Sequence, residues 1–105
     1  MNDIDKRSYY IALFDLYGPL FTKTQKVYFE EYYLYDISLQ EIANNYEVSR
    51  SAVGDSMKKI IDQLVIYENK LCFHAKNLKK DELLEDIYNL VNDDIKEKIN
   101  VLREI

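Results

Sequence analysis

At 105 residues, with 14 Lys+Arg against 19 Asp+Glu and a net charge of −5, the chain is sized for a single domain with one core. Its 48% apolar and 31% charged residues are globular rather than disordered in balance. Two Gly and one Pro are too few turn formers for an all-β sandwich or barrel, and the isolated Gly18 and Gly54 exclude a glycine-rich phosphate loop. A single Cys cannot close an internal disulfide, which points to a reducing compartment. No apolar run approaches a membrane span, and the acidic start Met1-Asn2-Asp3-Ile4-Asp5 is unlike a signal peptide. The expectation is a soluble, cytoplasmic, all-α protein. Ten Tyr beside abundant Asn, Ile and Lys fit an AT-rich coding sequence and aromatic core packing, so they do not by themselves argue base stacking.

The first helix is expected from Asp3 or Asp5, with Tyr10, Leu13, Phe14 and Tyr17 on one face, and should end at Gly18-Pro19. Thr22 to Gln25 forms a capping box, opening a second helix through Tyr28, Phe29, Tyr32 and Tyr33 that fades between Leu34 and Asp36. A second box, Ser38-Leu39-Gln40-Glu41, has the preferred Ser and Glu and opens a short helix ending near Asn44-Asn45. From Ser49 a longer helix carries Val53, Met57, Ile60, Leu64, Tyr67 and Leu71 in alternating steps of four and three. Beyond Leu71 the pattern loosens through Lys76 to Lys80. Asp81 then caps another helix with Leu84, Ile87, Tyr88 and Val91 on one face. Asp93 or Asp94 restarts it, with Ile95, Ile99 and Leu102 inward. The organisation expected is one helical domain over 1–105, with a core at 1–71 and a helical appendage at 72–105.

Residues 38 to 59 carry the functional signal. Two capped helices, the first short, join through a tight connection, with the small Ala43 ten residues before Val53. Leu39, Ile42, Val48 and Met57 are the other apolar positions. This is a helix-turn-helix pattern: the small residue lets the helices cross closely, and Ile42, Val48 and Val53 are expected to fill the wedge. The second helix would then present Ser49, Arg50, Ser51, Ala52, Asp55 and Ser56, followed by Lys58 and Lys59, to double-stranded DNA. Arg50 can read guanine or clamp a phosphate, while the serines and helix N-terminus suit phosphate oxygens. Lys58 and Lys59 suit backbone contact.

Ser38-Leu39-Gln40-Glu41-Ile42-Ala43 and Val48-Ser49-Arg50-Ser51-Ala52-Val53 resemble the promoter-reading helix-turn-helix of bacterial sigma factors. With Leu16-Tyr17-Gly18-Pro19-Leu20-Phe21-Thr22 and the stretch from Tyr28 through Tyr32-Tyr33-Leu34-Tyr35-Asp36, the chain resembles the YlxM-type family over residues 8 to 71. The resemblance implies a small helix-turn-helix DNA-binding regulator. It also implies a link to the signal recognition particle, beside whose genes members are encoded. The tail from Cys72 lies outside the resemblance. Glu47 stands in the turn where many such units have Gly; a non-glycine residue at positive φ is uncommon, so the turn is expected to be either slightly strained or shaped differently. Asp55 adds a negative charge to the DNA-facing side.

Other constellations read as structural. Cys72 and His74, two apart on a helix, diverge and lack further ligands for zinc. The pairs Glu30-Glu31, Asp81-Glu82 and Glu85-Asp86 read as solvated faces rather than paired catalytic carboxylates, so no enzyme, cofactor or metal is expected. Residues 49–59 carry a local +2 within an acidic chain. That balance motivates an alternative, an acidic helical interaction module or accessory factor that binds no DNA. The second half of the Val53–Leu71 seam can meet either the C-terminal helices or a second copy, giving a homodimer. RNA contact would fall to Arg50, Lys58 and Lys59, or to Lys76, Lys79 and Lys80. Having only Met1 and Met57, the chain lacks the Met-rich surface that signal-peptide binding calls for.

Overall fold

Helix α1 starts where Asn2 accepts the Asp5 N–H at 2.8 Å, and runs over Asp3–Tyr17 in the computed structural model, which describes residues 2–105. Pro19 stops it, and the chain passes through a short 3₁₀ turn, Gly18–Leu20. At Thr22 both halves of the capping box close: its Oγ1 accepts the Gln25 N–H at 3.2 Å, and the Gln25 side chain accepts the Thr22 N–H at 2.9 Å. Helix α2, Lys23–Phe29, follows and winds out through a π-helical turn, Glu30–Leu34. Asp36 then reverses the chain at φ 55°, a conformation Asp tolerates better than most residues, while Arg7 of α1 donates to its carboxylate and to the Tyr33 carbonyl. The remaining helices are α3, Leu39–Asn45; α4, Arg50–Leu71; α5, Phe73–Tyr88; and α6, Asp93–Glu104. Among the described residues there is no strand, so the fold is all-α.

The chain divides into two compact units, one ending at Leu71 and one over Cys72–Ile105. In the first, α1, α2 and α3 all pack on α4. Its core joins Leu13, Phe14, Tyr17, Phe21, Tyr28 and Phe29 to Ile42, Ala43, Val53, Met57, Ile60 and Leu64. The Phe14 and Phe29 rings stack at 4.0 Å between centroids. Burial of side chains this size is worth about 1.5–3 kcal/mol each. Seven of the ten tyrosines belong to this core or pack against it, so aromatic richness here is mostly packing.

Several expectations are corrected. Leu71 is exposed, and the buried seam of α4 turns after Leu64 to Glu68, a charged residue that an apolar count passes over. The break before the second unit is not made by Asp81, which lies exposed inside α5. A single left-handed residue, Cys72 at φ 57°, makes it, and α5 starts at once. Within the second unit Leu84, Tyr88 and Val91 are half-buried but Ile87 is exposed. Asn92 caps α6, accepting the Ile95 N–H at 3.1 Å. Ile99 is buried there, while Ile95 and Leu102 lie on turns that this unit leaves open. No helix among the described residues is long and apolar enough to cross a membrane.

Candidate nucleic-acid interface

Helix α3 begins at Ser38, whose Oγ accepts the Glu41 N–H at 3.1 Å. It ends with the Tyr46 N–H on the Ile42 carbonyl, then Glu47 at φ 55° and the Val48 N–H on the Ala43 carbonyl at 3.0 Å. That six-to-one closure around a left-handed residue is the Schellman stop, so of the two alternatives at Glu47 the turn keeps the ordinary shape and holds a non-glycine residue at positive φ. Ser49 then opens α4: its Oγ accepts the Ala52 N–H at 3.0 Å and its carbonyl the Val53 N–H at 3.2 Å. Only Val48 and Ser49 therefore separate the left-handed turn residue from the first turn of α4.

The crossing of α3 and α4 is dry. Ile42, Ala43 and Val53 have no solvent exposure, so a larger side chain at Ala43 would force the helices apart. Val48 does not fill the wedge as expected: it is exposed, and its contribution is the backbone N–H that closes the turn. The turn is braced from outside by Tyr46, whose hydroxyl donates to Glu31 Oε1 at 3.0 Å and whose ring lies 5.5 Å from that of Tyr28. Burial first, then the hydrogen bond to Glu31 and its charge, push the Tyr46 phenol above its ordinary pKa. Glu31 is thus half-buried and structural, not part of a solvated acidic face, and its Oε2 is buried without a hydrogen-bond partner.

Of the side chains expected to meet DNA, Ser49, Arg50, Ser51, Ala52, Asp55, Lys58 and Lys59 are exposed and Ser56 is half-buried. Helical spacing from the buried Val53, Met57, Ile60 and Leu64 puts Ser51, Asp55 and Lys58 on the outermost ridge. Arg50 lies on one flank with Gly54; Ala52, Ser56 and Lys59 lie on the other. Asp62 continues the outer ridge two turns beyond Asp55, so its charge is mixed beyond the first turns. The first turn of α4 contains no acidic residue, leaving the partial positive charge of the helix N-terminus and Arg50 unopposed there. Ser49 Oγ is already an acceptor within the cap, and its hydroxyl proton remains available to a phosphate oxygen.

The sequence setting of Gly54 does not mark it as a site residue. A Cβ built on it meets nothing within 4 Å, so no packing inside the fold calls for glycine. The signal was a lone Gly inside an otherwise regular helical pattern. Cys72 and His74 assemble no metal centre: among the described residues no group of three or more His, Cys, Asp or Glu can hold an ion.

Comparison with known proteins places this geometry in a family. The model described as "UPF0122: Putative helix-turn-helix protein, YlxM / p13 like" matches residues 4–105, so the match includes the tail beyond Leu71. The chain is 43% identical over 101 residues to a UPF0122 protein of Ureaplasma urealyticum serovar 10, covering 96% of each chain. It is 48% identical over 81 residues to a UPF0122 protein of Bacillus pumilus, covering 77% of this chain and 74% of that one. With a UPF0122 protein of Streptococcus suis the identity is 38% over 105 residues, covering 98% and 93%. The chain belongs to the UPF0122 family of YlxM/p13-like helix-turn-helix proteins.

Proposed function

We propose that this protein is a DNA-binding regulator, acting in the cytoplasm as a homodimer, that sets the N-terminal turns of α4 in the major groove. The observation that carries the reading is the dry α3–α4 crossing, which fixes an exposed, Ser49-capped helix start bearing Arg50. Arg50, Ser49 and Ser51 meet phosphate or base edges at the first turn. Ala52, Asp55 and Ser56 line the groove, Asp55 being suited to a cytosine N4 donor. Lys58 and Lys59 hold the phosphate backbone further along. Any part in the signal recognition particle pathway is regulatory or runs through nucleic-acid contact, RNA included, rather than through signal peptides. The work is binding rather than catalysis.

The test is anisotropy titration of genomic duplexes over a salt series, with wild type and Arg50→Ala. Saturable binding that weakens with salt, and weakens further in Arg50→Ala, is the expected result. Equal weakening for every sequence makes Arg50 a phosphate clamp; loss on one sequence alone makes it a base reader. No saturable binding at low salt ends the reading.

The acidic ridge positions Asp55 and Asp62 and the net charge of −5 favour a second reading, an interaction module that binds protein and no nucleic acid. Co-purification from extract with and without nuclease separates the two, since protein partners would survive digestion.

A further inference from the structure

Helix α5 segregates its charge along its length. Lys76, Lys79 and Lys80 lie in its first half, and Asp81, Glu82, Glu85 and Asp86 in its second. Along one side Lys76, Lys80, Leu83 and Ile87, with Leu90 just past the helix end, recur in steps of four, three, four and three. That spacing is a heptad seam. All five are exposed, Leu83 at 49%, Ile87 at 45% and Leu90 at 83%. Another side of the helix is occupied by α6, whose Lys96 and Arg103 lie over the Tyr88 ring at 5.0 and 5.1 Å. Arg103 also pairs with Glu85.

We propose that this seam pairs with the same seam of a second copy, the two α5 helices running antiparallel about a two-fold axis between Asp81 and Glu82. The proposal deepens the homodimer of the preceding reading and does not depend on DNA. In this register Lys76 falls opposite Ile87 of the second copy and Lys80 opposite Leu83, both pairs being centred on the same point of the helix. The lysine stems cover the apolar side chains and their ammonium groups reach past them. Lys79, beside the seam, falls two residues (about 3 Å along the axis) from level with Asp86 of the second copy, a step its long side chain spans, and symmetry repeats that pair. The charge pattern selects the occupant. A parallel copy would set cations on cations, and a uniformly acidic or basic partner would match only half of the helix. An antiparallel copy matches both halves.

The experiment is sedimentation equilibrium of the full chain, with helical content followed by circular dichroism. The wild type should be a dimer that loosens in high salt. Lys79→Glu and Asp86→Lys should each weaken it at least fivefold, by facing like charges at both symmetric positions. An equimolar mixture of the two variants should restore a one-to-one dimer, because each then meets its opposite. Ile87→Gln, which leaves all charges alone, should weaken the dimer as well. A wild type that is monomeric at high concentration overturns both the seam and the homodimer. A dimer indifferent to all three variants overturns the seam and leaves a dimer made elsewhere. Helical variants whose mixture fails to associate also overturn it. Each result leaves the DNA reading to its own titration.

Discussion

The phenol of Tyr17 in α1 donates to Glu68 Oε1 in α4 at 2.6 Å, and both side chains are buried. A buried carboxylate is costly unless strong donors compensate it, and hydrogen bonds to a charged group are worth about 1.5–3 kcal/mol. Tyr17→Phe should therefore lower stability by about that amount with little change in packing volume. Urea denaturation of the full chain measures it. A loss below about 0.5 kcal/mol would contradict the role given to this bond.

Glu47 makes the turn between α3 and α4 at φ 55°, where an L side chain costs about 1–2 kcal/mol. Glycine removes that cost and adds back about 0.5–1 kcal/mol of unfolded-chain freedom. Glu47→Gly should thus stabilise by roughly 0.5–1 kcal/mol, and Glu47→Val, β-branched, should destabilise. The denaturation midpoints of the two variants should move in opposite directions. A destabilising glycine would mean that the Glu47 side chain contributes something the backbone argument omits.

The phenols of Tyr9, Tyr33 and Tyr46 have pKa values raised above 10.0, Tyr9 and Tyr33 chiefly by burial, and Tyr46 by burial and then by Glu31. Between the unfolded and the raised folded value the native state holds more protons than the unfolded state. Their contribution is therefore complete below pH 10.0 and is lost as pH rises through the folded values. Thermal melts from pH 8 to 11.5 should show stability falling above about pH 10, less steeply in Tyr46→Phe. A flat profile over that range would contradict the assignment.

Gly54 sits inside α4 with open space where its Cβ would be. Alanine there should raise stability by about 0.5–1 kcal/mol. It lies on the Arg50 flank of the proposed interface, so the same methyl group should weaken duplex binding if DNA approaches that flank closely. Higher stability with unchanged affinity would move the DNA contact to the Ser56 and Lys59 flank.

Elements punctuated by chemistry were legible in the sequence: Pro19 ends α1, Thr22 and Ser38 open helices, and Ser49 caps α4. The α3–α4 pair was legible because close helix crossing restricts residue types strongly, as at Ala43. What escaped depends on tertiary context. Cys72 turns the chain through a backbone angle that its identity does not announce, so the sequence places the cap of α5 at Asp81, nine residues beyond the true one. Glu68 and Glu31 are charged yet engaged by Tyr17 and Tyr46, partners distant in sequence. Val48 is apolar but contributes its backbone, so apolar character alone misplaced it. At the candidate site, the exposed positions followed from helical spacing around the buried seam, whereas the open space at Gly54 needed coordinates.

On the proposed function, the start of α4 meets DNA in the cell. Ultraviolet cross-linking in cells, followed by recovery of bound nucleic acid and mass spectrometry of the cross-linked peptides, tests it most directly. DNA is the expected product, with cross-links on residues 49–59 that diminish in Arg50→Ala. Recovery of no nucleic acid, of RNA alone, or of cross-links confined to other segments would contradict it.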